Sequence, residues 1–133
     1  MPRFATALAY YLPQFHEIEE NNAWWGAGFT EWTQLRQAHT WSRRHVIRRP
    51  VPPLGEYCLT EPDSLELQWE LAARHGLAGF AVWDYWFGNG RQLLEKPIRL
   101  VLEQRLEFKY CLAWANHSWW TRPEAACCAN RNT

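Results

Sequence analysis

Three near-continuous apolar runs constrain this chain more than any other feature of its sequence. They are residues Phe4 to Tyr11 (FATALAYY), Ala78 to Tyr85 (AGFAVWDY) and Phe108 to Asn116 (FKYCLAWAN). None has the 3.6-residue spacing of an amphipathic helix. Pro13 closes the first, and Gly76 and Gly79 open the second. Strands that are apolar on both faces belong to a parallel sheet covered by helices. Parallel strands need crossovers, and helix signals occupy both gaps. In the first, Thr60 or Asp63 can cap a segment where Leu65, Trp69, Ala72 and Ala73 recur at helical spacing, with Gly76 as terminator. In the second, Pro97 can open a helix whose apolar stripe is Ile98, Val101 and Leu102. The expected order is therefore β-α-β-α-β, with right-handed crossovers and an α/β fold.

The two connections differ in length. Tyr85 to Phe108 is an ordinary crossover, whereas Leu12 to Pro62 is a first βα loop of about 50 residues, long enough to predict a binding or lid function. No internal repeat interrupts the chain. The Pro-rich stretch Pro50 to Pro53 lies within the long loop and marks no boundary between cores.

Composition narrows the function classes. Lys plus Arg equal Asp plus Glu at 14 each, so no overall field favours nucleic acid or an anionic membrane. The basic run Arg43, Arg44, His45, Arg48, Arg49 reads as a solvated loop or as a contact for the phosphate of a nucleotide sugar. Apolar stretches are too short to span a bilayer. Cys58, Cys111, Cys127 and Cys128 form no C-x-x-C and have no His at ligand spacing, so neither a metal nor another cofactor is expected. Free thiols without a secretory signal predict a cytoplasmic protein. The anomaly is aromatic: ten Trp, five Tyr and six Phe exceed the needs of a small core, and many fall in loops. Flat rings flanked by hydrogen-bonding groups suit sugars, which present apolar C–H faces beside hydroxyls.

Ligands of parallel α/β folds bind outside the carboxyl ends of the strands. All three ends here carry rings and polar groups: Tyr10-Tyr11-Leu12-Pro13-Gln14-Phe15-His16, then Asp84-Tyr85-Trp86-Phe87, then Trp114-Ala115-Asn116-His117-Ser118-Trp119-Trp120. Tyr11, Gln14, His16, Glu31, Trp32, Tyr85, Trp86, Trp114, Asn116 and Trp119 are the expected substrate-binding residues. Glu31 and Asp84 are the carboxylates best placed for acid/base work, and an Asp84 that merely pairs with an Arg is the competing structural reading. His16 and His117 lack partners at metal-ligand spacing, so a hydrogen bond to a hydroxyl is the better role for them.

Several of these motifs carry a family resemblance. Tyr11-Leu12-Pro13-Gln14-Phe15-His16, Asn22-Ala23-Trp24-Trp25-Gly26 and Gly28-Phe29-Thr30-Glu31-Trp32-Thr33 closely resemble the start of WbsX-like proteins, of the glycoside hydrolase family 99-like group. Gly79-Phe80 with Tyr85-Trp86-Phe87, Leu93-Leu94-Glu95-Lys96-Pro97 and Cys111-Leu112-Ala113-Trp114-Ala115-Asn116 extend it in order to about Arg122. The resemblance implies a (β/α)8 TIM-type barrel, of which this chain holds the first three strands and two crossover helices, since whole barrels need about 250 residues. It implies action on an oligosaccharide or polysaccharide, mannose-containing in true family 99 members, in bacterial surface-polysaccharide metabolism. True members hydrolyse with retention, while WbsX-like relatives have also been called glycosyltransferases.

The departures from the family pattern are equally specific. The family's catalytic Glu pair sits in an Asn-Glu-Trp-x-Glu-Gly motif that this chain lacks, and Asp84 stands where relatives usually carry His. The expected division is an N-terminal barrel segment over residues 1–122 and a tail over 123–133 outside the family pattern. On this reading the chain supplies sugar binding. The alternatives are a catalytically inactive binding remnant or the product of a truncated gene.

Overall fold

The computed structural model describes residues 5–115. Four strands and four helices are found among them: β1 (Leu8–Tyr11), α1 (Glu19–Trp25), α2 (Glu31–Gln37), α3 (Pro62–Arg74), β2 (Gly79–Trp86), β3 (Gln92–Leu93), α4 (Lys96–Gln104) and β4 (Tyr110–Trp114). β2 is central, paired in parallel with β1 on one side and β4 on the other. The three apolar runs are thus the three parallel strands, with α3 and α4 as the crossovers.

The sheet is mixed rather than purely parallel. Gly88, Asn89 and Gly90 all adopt positive φ and turn the chain back, so that β3 pairs antiparallel with the end of β2. Backbone bonds from Phe87 N to Arg91 O and from Arg91 N to Gly88 O close this hairpin. Glycine and asparagine are the residues that enter this region at least cost. The long first connection is also structured, since it carries α1 and α2. Helix α3 starts at Pro62 with Glu61 in the capping position and no side-chain cap bond, so neither Thr60 nor Asp63 caps it. Proline serves at a helix start because its missing N–H has no intrahelical partner to lose.

Side-chain alternation divides the sheet. One face carries Ala9, Tyr11, Phe80, Val82 and Tyr110 and packs beneath α3 and α4 around Leu59, Leu65, Trp69, Ala72, Val101 and Phe108. Phe80 and Phe108 stack at 4.9 Å, and Tyr11 meets both rings, at 4.9 and 5.5 Å. The other face carries Leu8, Tyr10 and Cys111, all exposed, beside Trp83, whose ring meets Tyr10 edge-on at 6.4 Å.

Gly79 sits where the strands come closest. A Cβ there would lie 2.9 Å from the Lys109 carbonyl oxygen and 3.3 Å from its carbon. Backbone cannot swing aside as a side-chain tip can, so Gly79→Ala is expected to cost about 1–3 kcal/mol. Urea unfolding checks this, and an unchanged midpoint would show that β2 and β4 can separate freely.

Candidate functional site

The carboxyl end of β2 and the loop after β1 build a small polar cluster. Tyr85 is buried beside Ile18, Leu94 and Ala115. Its hydroxyl accepts a hydrogen bond from Gln14 Nε2 at 2.5 Å. The loop bearing Gln14 is itself fixed: His16 N donates to Gln14 O at 2.6 Å, and Leu59 N donates to Phe15 O at 3.2 Å. Leu94 holds a left-handed conformation at φ 61 while almost fully buried. A non-glycine residue in that region costs on the order of 1 kcal/mol or more, and such strain tends to gather at functional sites.

Two titratable groups, His16 near this end and Glu31 on α2, have buried side-chain atoms without a hydrogen-bond partner among the described residues. His16 is 1% exposed, and neither ring nitrogen has a hydrogen-bond partner among the described residues. Burial holds its pKa down at about 4, the nearby Lys96 adds to this, and Glu95 opposes it. The ring is therefore neutral at physiological pH, with one donor and one acceptor. Glu31, the first residue of α2, has Oε2 buried and unbonded. Burial raises its pKa to about 6, against the pull of its own backbone N–H. The phenols of Tyr57 and Tyr85 are pushed up by burial and also by the Glu31 charge, which puts all three groups in one neighbourhood.

Unsatisfied buried polar atoms are rare in folded proteins because each forfeits its hydration. Such atoms on His16, after β1, and on Glu31, at the start of α2, are what a site built to hydrogen-bond a polar ligand would display. Together the cluster offers an amide, a phenol, a neutral imidazole and a carboxyl group on the protonation boundary. Such a set can hold hydroxyls as donor and acceptor alike.

Other expected site residues are placed elsewhere. Tyr11 lies on the helix-covered face and donates its hydroxyl to Gln68 Oε1 at 2.6 Å, so its ring and its hydroxyl serve the core. Trp32 is likewise packed, 4.4 Å from Phe15 and 4.9 Å from Tyr57, with Nε1 donating to Tyr57 O. Asp84 alternates with Tyr85 and faces away from it. Its Oδ1 accepts from Gln92 Nε2 at 3.2 Å, and it lines a cavity with Val82, Ile98, Leu102 and Leu112. The competing reading, an ion pair between Asp84 and an Arg, is not found among the described residues. Trp86 and Trp114 are exposed at adjacent strand ends, with Trp114 Nε1 donating to Trp86 O at 3.4 Å. Asn116, Trp119, His117 and the tail lie outside the described residues.

Sequence reasoning missed Tyr57. It reaches the cluster only because the long loop folds back onto Phe15, and no local motif signals that return.

Comparison with known proteins agrees with this arrangement of motifs. The family model for glycosyltransferase WbsX matches residues 7–127. An uncharacterized protein WxcX of Xanthomonas campestris pv. campestris, in strains B100 and ATCC 33913, is 43% identical over 116 residues. That match covers 86% of this chain but 16% of the relative, so the chain spans a small part of the length of these curated relatives. No solved structure matches. The chain belongs to the glycosyltransferase WbsX family.

Proposed function

We propose that this chain forms the sugar-binding opening segment of a β/α barrel acting on polysaccharide, resembling glycoside hydrolase family 99. The observation that carries the reading is the set of buried side-chain atoms without partners among the described residues, both ring nitrogens of His16 and Oε2 of Glu31, together with the Gln14–Tyr85 hydrogen bond. The parallel β1-β2-β4 order supports the barrel, as does an apolar face bearing Leu8, Tyr10 and Cys111 without cover. In a barrel that face points inward and meets the remaining strands. Tyr85 projects from the same face, at the end where barrel sites lie.

In this reading Gln14, His16, Glu31 and Tyr85 hold sugar hydroxyls, while Trp86 and Trp114, which share Asp84's side of the sheet, offer ring faces at the strand ends; the Asn116 amide and the Trp119 ring, both outside the described residues, are further proposed contacts. We assign this chain sugar orientation rather than turnover because the Asn-Glu-Trp-x-Glu-Gly motif that carries the family's catalytic Glu pair is not in its sequence. Hydrolysis or transfer then belongs to residues outside this chain. Free Cys58 and Cys111 suit the reducing cytoplasm.

Titration of the purified chain with mannose-containing oligosaccharides tests the proposal. Binding should be weakened about tenfold by Gln14→Ala, the cost of roughly one hydrogen bond to a buried partner, and again by Trp86→Ala. Incubation with α-mannan should release no sugar. Affinity indifferent to both substitutions would sink the assigned surface, and turnover by this chain would overturn the division of labour.

A further inference from the structure

We propose that the basic, aromatic loop over residues 41–49 docks the protein on an anionic phospholipid surface. Between Glu31 and Glu56 the sequence has no Asp or Glu but carries Arg36, Arg43, Arg44, Arg48 and Arg49. Arg36 is held by Glu56, and Arg49 donates to the Arg36 carbonyl at 3.4 Å, which anchors the loop's return to α2. Among the described residues no carboxylate pairs with Arg43, Arg44 or Arg48. The loop's charge is therefore unspent.

The apolar part is as unusual as the charge. Trp41 is 93% exposed, and Val46 and Val51 are exposed with it. The tip is held by hydrogen bonds within it: Trp41 N donates to the His45 ring Nδ1 at 3.1 Å, His45 N to Ser42 O at 3.1 Å, and Arg44 N to the Ser42 hydroxyl Oγ at 3.3 Å. A five-residue turn thus keeps a bare indole beside two arginines. Sugar subsites pair rings with hydroxyl-binding amides and carboxylates, which this tip lacks, and valines contribute nothing to such a site. A bilayer interface uses all three components. Indole settles at the headgroup level, aliphatic side chains enter the acyl boundary, and arginines bind lipid phosphates while their stems stay in apolar surroundings. No helix among the described residues is long and apolar enough to cross a membrane, so the contact is peripheral. It does not depend on the sugar-binding reading.

Co-sedimentation of the full 133-residue chain with vesicles tests the proposal. Vesicles of phosphatidylglycerol and phosphatidylcholine should bind it, and phosphatidylcholine alone should not. Added salt should weaken binding, because the attraction is screened within about 10 Å at 0.1 M. Replacing Arg43 and Arg44 by Ser should lower affinity roughly twentyfold, at about fivefold per arginine near an anionic surface. Arg43→Lys with Arg44→Lys should restore most of it, and Trp41→Ser should reduce it with the arginines intact. Equal binding to neutral vesicles, or binding unaffected by the Ser variants, would overturn the assignment. So would displacement by millimolar pyrophosphate at constant ionic strength, which would mark a soluble phosphate site instead.

Discussion

Phe80→Ala should lower the unfolding free energy by about 3–5 kcal/mol, the range for removing a large aromatic from a packed core. Phe80 is buried at the centre of the sheet, stacked on Phe108 at 4.9 Å, tilted against Tyr11 at 4.9 Å and edge-on to Trp69 at 6.2 Å. Those partners come from β1, α3 and the approach to β4, so one ring ties the sheet to α3. Domains hold only about 5–15 kcal/mol in total, and such a loss is a large share of it. The measurement is the denaturant midpoint, with the slope unchanged. Tyr10→Ala supplies the contrast. Tyr10 is 79% exposed on the opposite face, and its loss should change stability by less than about 0.5 kcal/mol. Equal costs for the two would mean that the uncovered face is covered in solution, and the assignment of the core to one side of the sheet would be wrong.

That contrast also marks how far the sequence could be read. Uninterrupted apolar runs located β1, β2 and β4 to within a few residues, but the burial on both faces that such runs imply is not met among the described residues, where Leu8, Tyr10 and Cys111 are exposed. The runs do not encode which residues point to which face. Tyr10 and Tyr11 look alike in sequence, yet one is bare and the other lies in the core beside Gln68. The same one-residue alternation separates Tyr85, in the polar cluster, from Asp84, which turns towards Gln92. Strand-end logic pointed to Gln14, His16 and Tyr85, of which Gln14 and Tyr85 are joined by a hydrogen bond, while Glu31 came from the long first connection. Proximity along the chain cannot distinguish a ring that lines a site from one that supports it, and Tyr11 and Trp32 are both packed against other rings. The Gly88-Asn89-Gly90 turn was a readable hairpin signal, and it accounts for β3. Helices α1 and α2 have seven residues each, too few to establish a period.

The polar cluster makes a second large effect expected, in the pH dependence of stability. In the unfolded chain His16 takes up a proton near pH 6.5, but in the folded protein burial defers this to about 4. Between those values the unfolded state binds the extra proton, so stability falls as pH drops from 6.5 towards 4. The full difference corresponds to about 3 kcal/mol, and solvent around the neighbouring Lys96 and Glu95 trims it to about 2. Glu31 acts in the opposite sense. Its carboxyl group titrates near 6 in the folded protein against 4.5 ordinarily, so the folded state binds the extra proton and stability rises as pH falls from 6 to 4.5. The two groups therefore partly cancel between 6 and 4.5, and the acid loss steepens below 4.5, where the Glu31 gain is complete and His16 is still titrating. Unfolding midpoints measured across pH 4–7 would separate them. His16→Gln should flatten the acid loss and leave the Glu31 gain visible, whereas Glu31→Gln should remove that gain and steepen the loss. An acid limb identical in protein and His16→Gln variant would mean that the imidazole is hydrated in solution. The unpartnered nitrogens would then be met by water, and His16 would no longer be poised for a sugar hydroxyl.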